Sequence, residues 1–115
     1  MATTAARCCA PITSAPLTQA DAEALAPLLK AVADPVRLRL LSMIASARDG
    51  EICVCDLAAA FKLTAPTISH HLKVLRTAGL IDSERRGTWV YYSVLPDTLA
   101  RLGVLFTPLA EPAAT

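Results

Sequence analysis

The most reactive side chains in this 115-residue sequence are four cysteines, and they come in two pairs: Cys8 and Cys9 in RCCA, and Cys53 and Cys55 in EICVCDLA. Thiolates bind soft, thiophilic ions, and thiols also oxidise reversibly, so two chemistries are open from the start. Spacing restricts the first. On a regular helix, residues two apart point about 200° away from each other, whereas on extended backbone they share a face. Cys53 and Cys55 can therefore meet on one ion only if a helix begins at or after this point. We expect Cys53 at an N-cap and Cys55 in the first turn of a short helix, where the helix dipole favours the thiolate. A lone cysteine is often no more than a small buried hydrophobe, but a CC pair combined with CxC points to metal, redox or catalytic use.

The elements that must position these thiols follow from composition and pattern. The chain is 54% apolar and 18% charged, which suits one domain with apolar surface left to bury in a partner. No apolar run approaches the roughly 18 to 20 residues that cross a bilayer, so no membrane partner is expected. The first residues lack the basic segment and apolar stretch of a secretory signal, and a reducing cytoplasm is the expected compartment. There, thiols serve metal binding or redox sensing rather than structural disulfides. Net charge is only +1, but from Lys62 to Leu95 five basic residues stand against two acidic ones, a modest footprint for a polyanion.

Residues 1–17 read as a flexible arm carrying Cys8 and Cys9, residues 18–107 as the folded domain, and residues 108–115 as a disordered tail. Thr18 and Asp21 resemble a capping box ahead of a first helix, which Pro27 should kink or break. Asp34-Pro35 is an N-cap followed by proline at the first helical position, and opens a second helix to about Ala47. Glu51 to Cys53 can be extended, and Asp56 to Phe61 a short helix. In TAPTISHHLKVLRTAGL, Thr64 caps, Pro66 lies in the first turn and Gly79 terminates. Ile68, Leu72 and Leu75 form its buried stripe, with Pro66, Thr67, His70, Lys73 and Val74 opposite. IDSERRGTWVYYSV predicts a β-hairpin turning at Arg86-Gly87, with Val90, Tyr92 and Val94 on one face. Pro96 and Asp97 open a last helix with Leu99, Leu102 and Phe106 in register.

The resulting fold class is mainly α with a small β-hairpin wing: a winged helix-turn-helix. Such a fold sets its second helix in the DNA major groove and rests its wing on the backbone. Thr64, Pro66, Thr67, Ser69 and His70 lie where base edges and backbone are read, and Lys73, Arg76, Arg85 and Arg86 can neutralise phosphates. Each also has a plainer reading. Ser69 can be a solvated polar residue, Arg85 and Arg86 ordinary turn residues, and His71, on the flank of the apolar stripe, a packed structural histidine.

KAVADPVRLRLLSMIA, EICVCDLA, LTAPTISHHLKVLRTAGLI and RRGTWVYYSV together resemble the ArsR/SmtB family of metal-sensing transcriptional repressors, most closely its arsenic-responsive members. The resemblance covers roughly residues 20–106. It implies a homodimer that binds an inverted repeat of double-stranded operator DNA, with the first and last helices forming the dimer interface, and that lets go when a toxic metal or metalloid binds. Many relatives have glutamine where this chain has Ala65, which bears on the operator sequence it reads. Many arsenic-responsive relatives also carry CVCDLC, whereas Ala58 takes the place of that third cysteine here.

The third thiolate must then come from Cys8 or Cys9, possible also across a dimer. As(III) or Sb(III), each needing three thiolates, is the expected inducer. A tetrathiolate Cd(II) or Pb(II) site made of Cys8, Cys9, Cys53 and Cys55 is the alternative, and a thiol-redox or persulfide switch a further one. The family's other metal site, on the last helix, uses histidines and acids. This chain has Asp97 there but no histidine outside His70 and His71, so a zinc or nickel sensor of that kind is not expected. No βαβ pattern surrounds CVC and no carboxylate is placed to orient a histidine, so no enzymatic activity is expected. A metallochaperone would bind metal without operator affinity.

Overall fold

The computed structural model describes residues 11–108, which form five helices and a three-stranded sheet. Helix α1, Gln19–Val32, is capped by Thr18, whose hydroxyl accepts from the Asp21 N–H at 3.0 Å. It continues through Pro27 instead of breaking there. Leu25, Leu28 and Ala31 bury both halves of α1 in the core. Pro27 and Glu23, whose carbonyl loses its partner, are both exposed, so water can take that carbonyl. Helix α2, Pro35–Ala45, starts from Asp34, which accepts from the N–H groups of Val36 and Arg37. It ends two residues short of Ala47, at a Ser46 cap.

Strand β1 is only Ile52–Cys53, and helix α3, Val54–Ala59, begins two residues earlier than the apolar pattern suggests. Helix α4, Ala65–Thr77, is closed at both ends. Thr64 caps its start, and at its end Leu80 N–H donates to Leu75 O and Gly79 N–H to Arg76 O. This six-to-one, five-to-two pair is a Schellman motif, and it needs the left-handed φ of +84° that Gly79 adopts. Strands β2, Ile81–Arg86, and β3, Trp89–Val94, pair antiparallel, and β1 joins the other edge of β3. The hairpin turns at Gly87-Thr88, one residue later than expected. Arg86 still pairs with Trp89, and Gly87, at φ +65°, takes the left-handed position of the two-residue loop.

Helix α5, Pro96–Leu105, buries Leu105, while Leu99 and Leu102 pack at the edge of the core. Phe106 does not continue that stripe: it is the C-cap and is 59% exposed. The fully buried centre is Leu40 and Ile44 of α2, Leu57 of α3, Ile68, Leu72 and Leu75 of α4, and Leu80 and Ile81 beyond it. Val74, expected on the outer face of α4, packs partly against this cluster, because α1 lies along that flank.

Candidate nucleic-acid interface and thiol site

Cys53 is the N-cap of α3, with extended dihedrals of φ −69° and ψ 142°, and Cys55 lies in the first helical turn. This is the geometry the two-residue spacing requires. The two sulfurs face each other as a disulfide pair, with Cα atoms 5.2 Å apart, and Cys53 Sγ accepts the Cys55 N–H at 3.2 Å. Sulfur thus stands where Ser, Thr or Asp would usually cap. Cys53 is buried and Cys55 exposed, so the pair opens outward on one side. Among the described residues no three His, Cys, Asp or Glu side chains gather into a metal-binding group. Cys8 and Cys9 lie outside the described residues. Chemically, the pair can hold two positions of a thiophilic ion or be oxidised together.

Along α4, Ile68, Leu72 and Leu75 point inward, while Pro66, Ser69, His70, Lys73 and Arg76 are exposed. Thr67 is half-buried, and its hydroxyl and that of exposed Thr64 bond each other at 2.8 Å. The predicted reading surface is therefore one continuous polar face. His71 is half-buried beside it. Arg37 Nη1 lies 3.3 Å from His71 Nδ1, and since arginine has no acceptor, Nδ1 must accept. Arg37 also donates through Nε to Ala31 O at 2.6 Å and through Nη2 to Lys30 O at 3.3 Å. One side chain thereby ties the end of α1 and the start of α2 to α4.

The two wing arginines differ. Arg85 is exposed and has no ion-pair or hydrogen-bond partner among the described residues. Arg86 donates to both carboxylate oxygens of Glu51, at 2.5 and 2.8 Å, and to Glu84 at 2.8 Å. Its guanidinium also stacks on the Tyr91 ring, 4.7 Å from the centroid. Hydrogen bonding to Arg86 lowers the Glu51 carboxyl pKa, and Glu51 in turn raises that of Arg86. Tyr91 is the register partner of Cys53, and Glu51 precedes Cys53 by two residues. The wing and the thiol element are thus joined twice, by backbone pairing and by this ion pair. Sequence reasoning missed Glu51 and Arg37. Their partners lie 35 and 34 residues away, and no local pattern announces such a pairing.

A helix–turn–helix with a polar outer face on its second helix, followed by a two-stranded wing, makes this a winged helix-turn-helix DNA-binding protein. Residues 34–83 match the family model described as "Bacterial regulatory protein, arsR family". Over 80 residues the chain is 38% identical to an uncharacterized HTH-type transcriptional regulator of Methanocaldococcus jannaschii, covering 70% of this chain and 88% of that one. Over 70 residues it is 46% identical to an arsenic resistance transcriptional regulator of Pseudomonas putida, covering 61% of this chain and 53% of the relative, about half its length. The solution structure of a homodimeric winged helix-turn-helix DNA-binding domain from Mycobacterium bovis, a possible ArsR-family transcriptional regulator, superposes with a TM-score of 0.61. It is 31% identical and covers 75% of this chain and 80% of that one. The chain belongs to the ArsR family, whose members here are transcriptional regulators and not enzymes. Among the described residues no helix is long and apolar enough to cross a membrane.

Proposed function

We propose that this chain is a cytoplasmic repressor. It binds an inverted-repeat operator as a homodimer, through the outer face of α4 and the wing, and releases it when As(III) or Sb(III) is held by Cys53, Cys55 and a thiolate from Cys8 or Cys9. The observation that carries this reading is the convergence of Cys53 and Cys55 at the N-terminus of α3, the helix that leads into the reading helix. Bound there, the metalloid supplies a thiophilic centre that draws thiolates together. The chain does the rest. A Cys53 sulfur committed to an ion holds the Cys55 N–H less well, so the cap of α3 loosens. Leu57 of α3 is buried in the same cluster as Ile68 and Leu72, so a shift of α3 is felt by α4. Pairing of Cys53 with Tyr91 carries the same shift to the wing.

Exposed Ile12 and Phe106 support the dimer. They flank the bond from Ile12 N–H to Leu105 O, which ties the segment before α1 to the end of α5. The relative from Mycobacterium bovis is homodimeric. Coupling is reciprocal, so operator DNA must weaken inducer binding by the factor by which inducer weakens operator binding.

The test is fluorescence anisotropy of the protein on a duplex from its own promoter, titrated with arsenite. Affinity should fall by about one to two orders of magnitude, within the usual range of allosteric coupling. The Cys53→Ser/Cys55→Ser protein should bind the duplex and ignore arsenite. Release of that double variant by arsenite, or no release of the wild type, refutes the mechanism. Titration with Sb(III), Cd(II), Pb(II) and Zn(II) ranks the inducers, and earlier release by Cd(II) or Pb(II) would favour the tetrathiolate site. The placement of both thiols at the N-terminus of α3 leaves one second reading, a thiol-redox switch, for which oxidant or polysulfide but not arsenite would release DNA.

A further inference from the structure

Beside the reading helix lies an open depression of about 530 Å³, between the C-terminal half of α1 and the flank of α4. It is lined by the buried Ala31 and partly buried Val74 and by Lys30, Arg37, His70 and Lys73, with no acidic residue among those lining it. Lys30 and Lys73 form no ion pair with any described residue. Arg37 is immobilised by the Ala31 and Lys30 carbonyls and by His71, so its charge is fixed in the lining. The nearby carboxylate of Asp34 is turned to the N–H groups of Val36 and Arg37. A concavity lined by apolar and cationic side chains matches a sugar–phosphate backbone, with deoxyribose against the apolar ones and phosphate against the lysines. His70 and Lys73 already belong to the reading face, so this depression is continuous with it.

We propose that this depression is a DNA-backbone site and that Lys30, on α1, is a phosphate-contacting residue lining it together with Lys73. The inference rests on the DNA-binding reading above, and adds a helix to the interface that the helix-turn-helix and wing do not include. A plainer role for Lys30 exists, since it sits in the last turn of α1, where a cation complements the helix dipole. The two roles separate by experiment.

Lys30→Gln, Lys30→Arg and wild type are titrated onto promoter duplex and onto unrelated duplex, at salt concentrations from about 50 to 300 mM. A phosphate contact predicts that Lys30→Gln weakens binding several-fold on both duplexes. It also predicts a drop in the slope of log K against log salt of about one per protomer, with recovery in Lys30→Arg. A purely structural Lys30 predicts a lower melting temperature with an unchanged salt slope, and that result overturns the proposal. So does an unchanged slope in a variant whose melting temperature is raised by inorganic phosphate less than that of the wild type, which would make the depression a small-anion site. If wild type binds neither duplex, the DNA-binding reading itself falls, an outcome distinct from failure of the Lys30 variant alone.

Discussion

Helices α3 and α4 are neighbours in the chain and are built to opposite standards. Helix α4 has 13 residues, a hydroxyl cap, a Schellman terminus and three buried side chains. Helix α3 has 6 residues, a sulfur for its cap, and Leu57 as its one buried anchor. On the function proposed above, the helix that reads DNA must hold its side chains in one place, whereas the element that responds to a ligand must have little stability to lose. The weakly held helix is the one that carries the thiols, and its Leu57 is buried in the same cluster as the leucines of the strongly held one. The wing repeats the contrast on a smaller scale, with the exposed Arg85 side chain in no ion pair among the described residues beside an Arg86 held by Glu51, Glu84 and Tyr91.

The contrast can be broken most violently in the shared core. Leu72→Ala and Leu57→Ala should each cost about 2–5 kcal/mol in urea unfolding, because both are fully buried in one core cluster. Below their unfolding transitions they should differ: Leu57→Ala keeps operator affinity and loses its response to arsenite, while Leu72→Ala weakens operator binding itself. Equal responses in anisotropy would mean that α3 and α4 move as one body. Next in size, Gly79→Ala forces an L-residue into φ +84° and should cost about 1–2 kcal/mol, read by the same unfolding experiment.

The caps give a smaller and sharper comparison. Thr64→Ala should cost about 1 kcal/mol, as loss of a hydroxyl cap usually does. Cys53→Ser should leave the reduced protein at least as stable as wild type, since serine is the better N-cap. A large loss in Cys53→Ser would mean that the sulfur packs more than it caps. At the wing, the single tryptophan, Trp89, is the register partner of Arg86 and reports its state. Arsenite added without DNA should change Trp89 emission in wild type, and Glu51→Gln should reduce that change while leaving arsenite binding intact.

The smallest effect is one of pH. Backbone N–H donation from Arg37 lowers the Asp34 carboxyl pKa. Its carboxylate therefore stabilises the fold above the ordinary carboxyl pKa of about 4, and that contribution disappears as pH falls through the lowered value. Asp34→Asn keeps an acceptor at the cap but does not titrate. The stability gap between wild type and this variant should be present at pH 7 and close as pH falls through that lowered value, and a gap independent of pH would remove Asp34 from the acid response.

Local signals were legible where the backbone leaves few choices. Thr64, Asp34 and Gly79 announced helix ends, and the two-residue spacing of Cys53 and Cys55 required a helix start between extended and helical backbone, which is where α3 begins. Pro27 misled because its local penalty is outweighed by burial of Leu25, Leu28 and Ala31 on either side. The turn moved by one residue because Gly87, not Arg86, takes the left-handed position.

Taken alone, then, the order of residues determined the helix caps, the apolar stripe of α4, the pairing potential of the two central thiols and the basic second half of the chain. All of these depend on residues within about a turn of one another. Folding decided the rest: that Glu51 meets Arg86, that Arg37 reaches His71, and that Lys30 and Lys73 line one depression. Those partners are brought together by burial of the leucines between them, and a contact made by packing leaves no periodic mark in the chain.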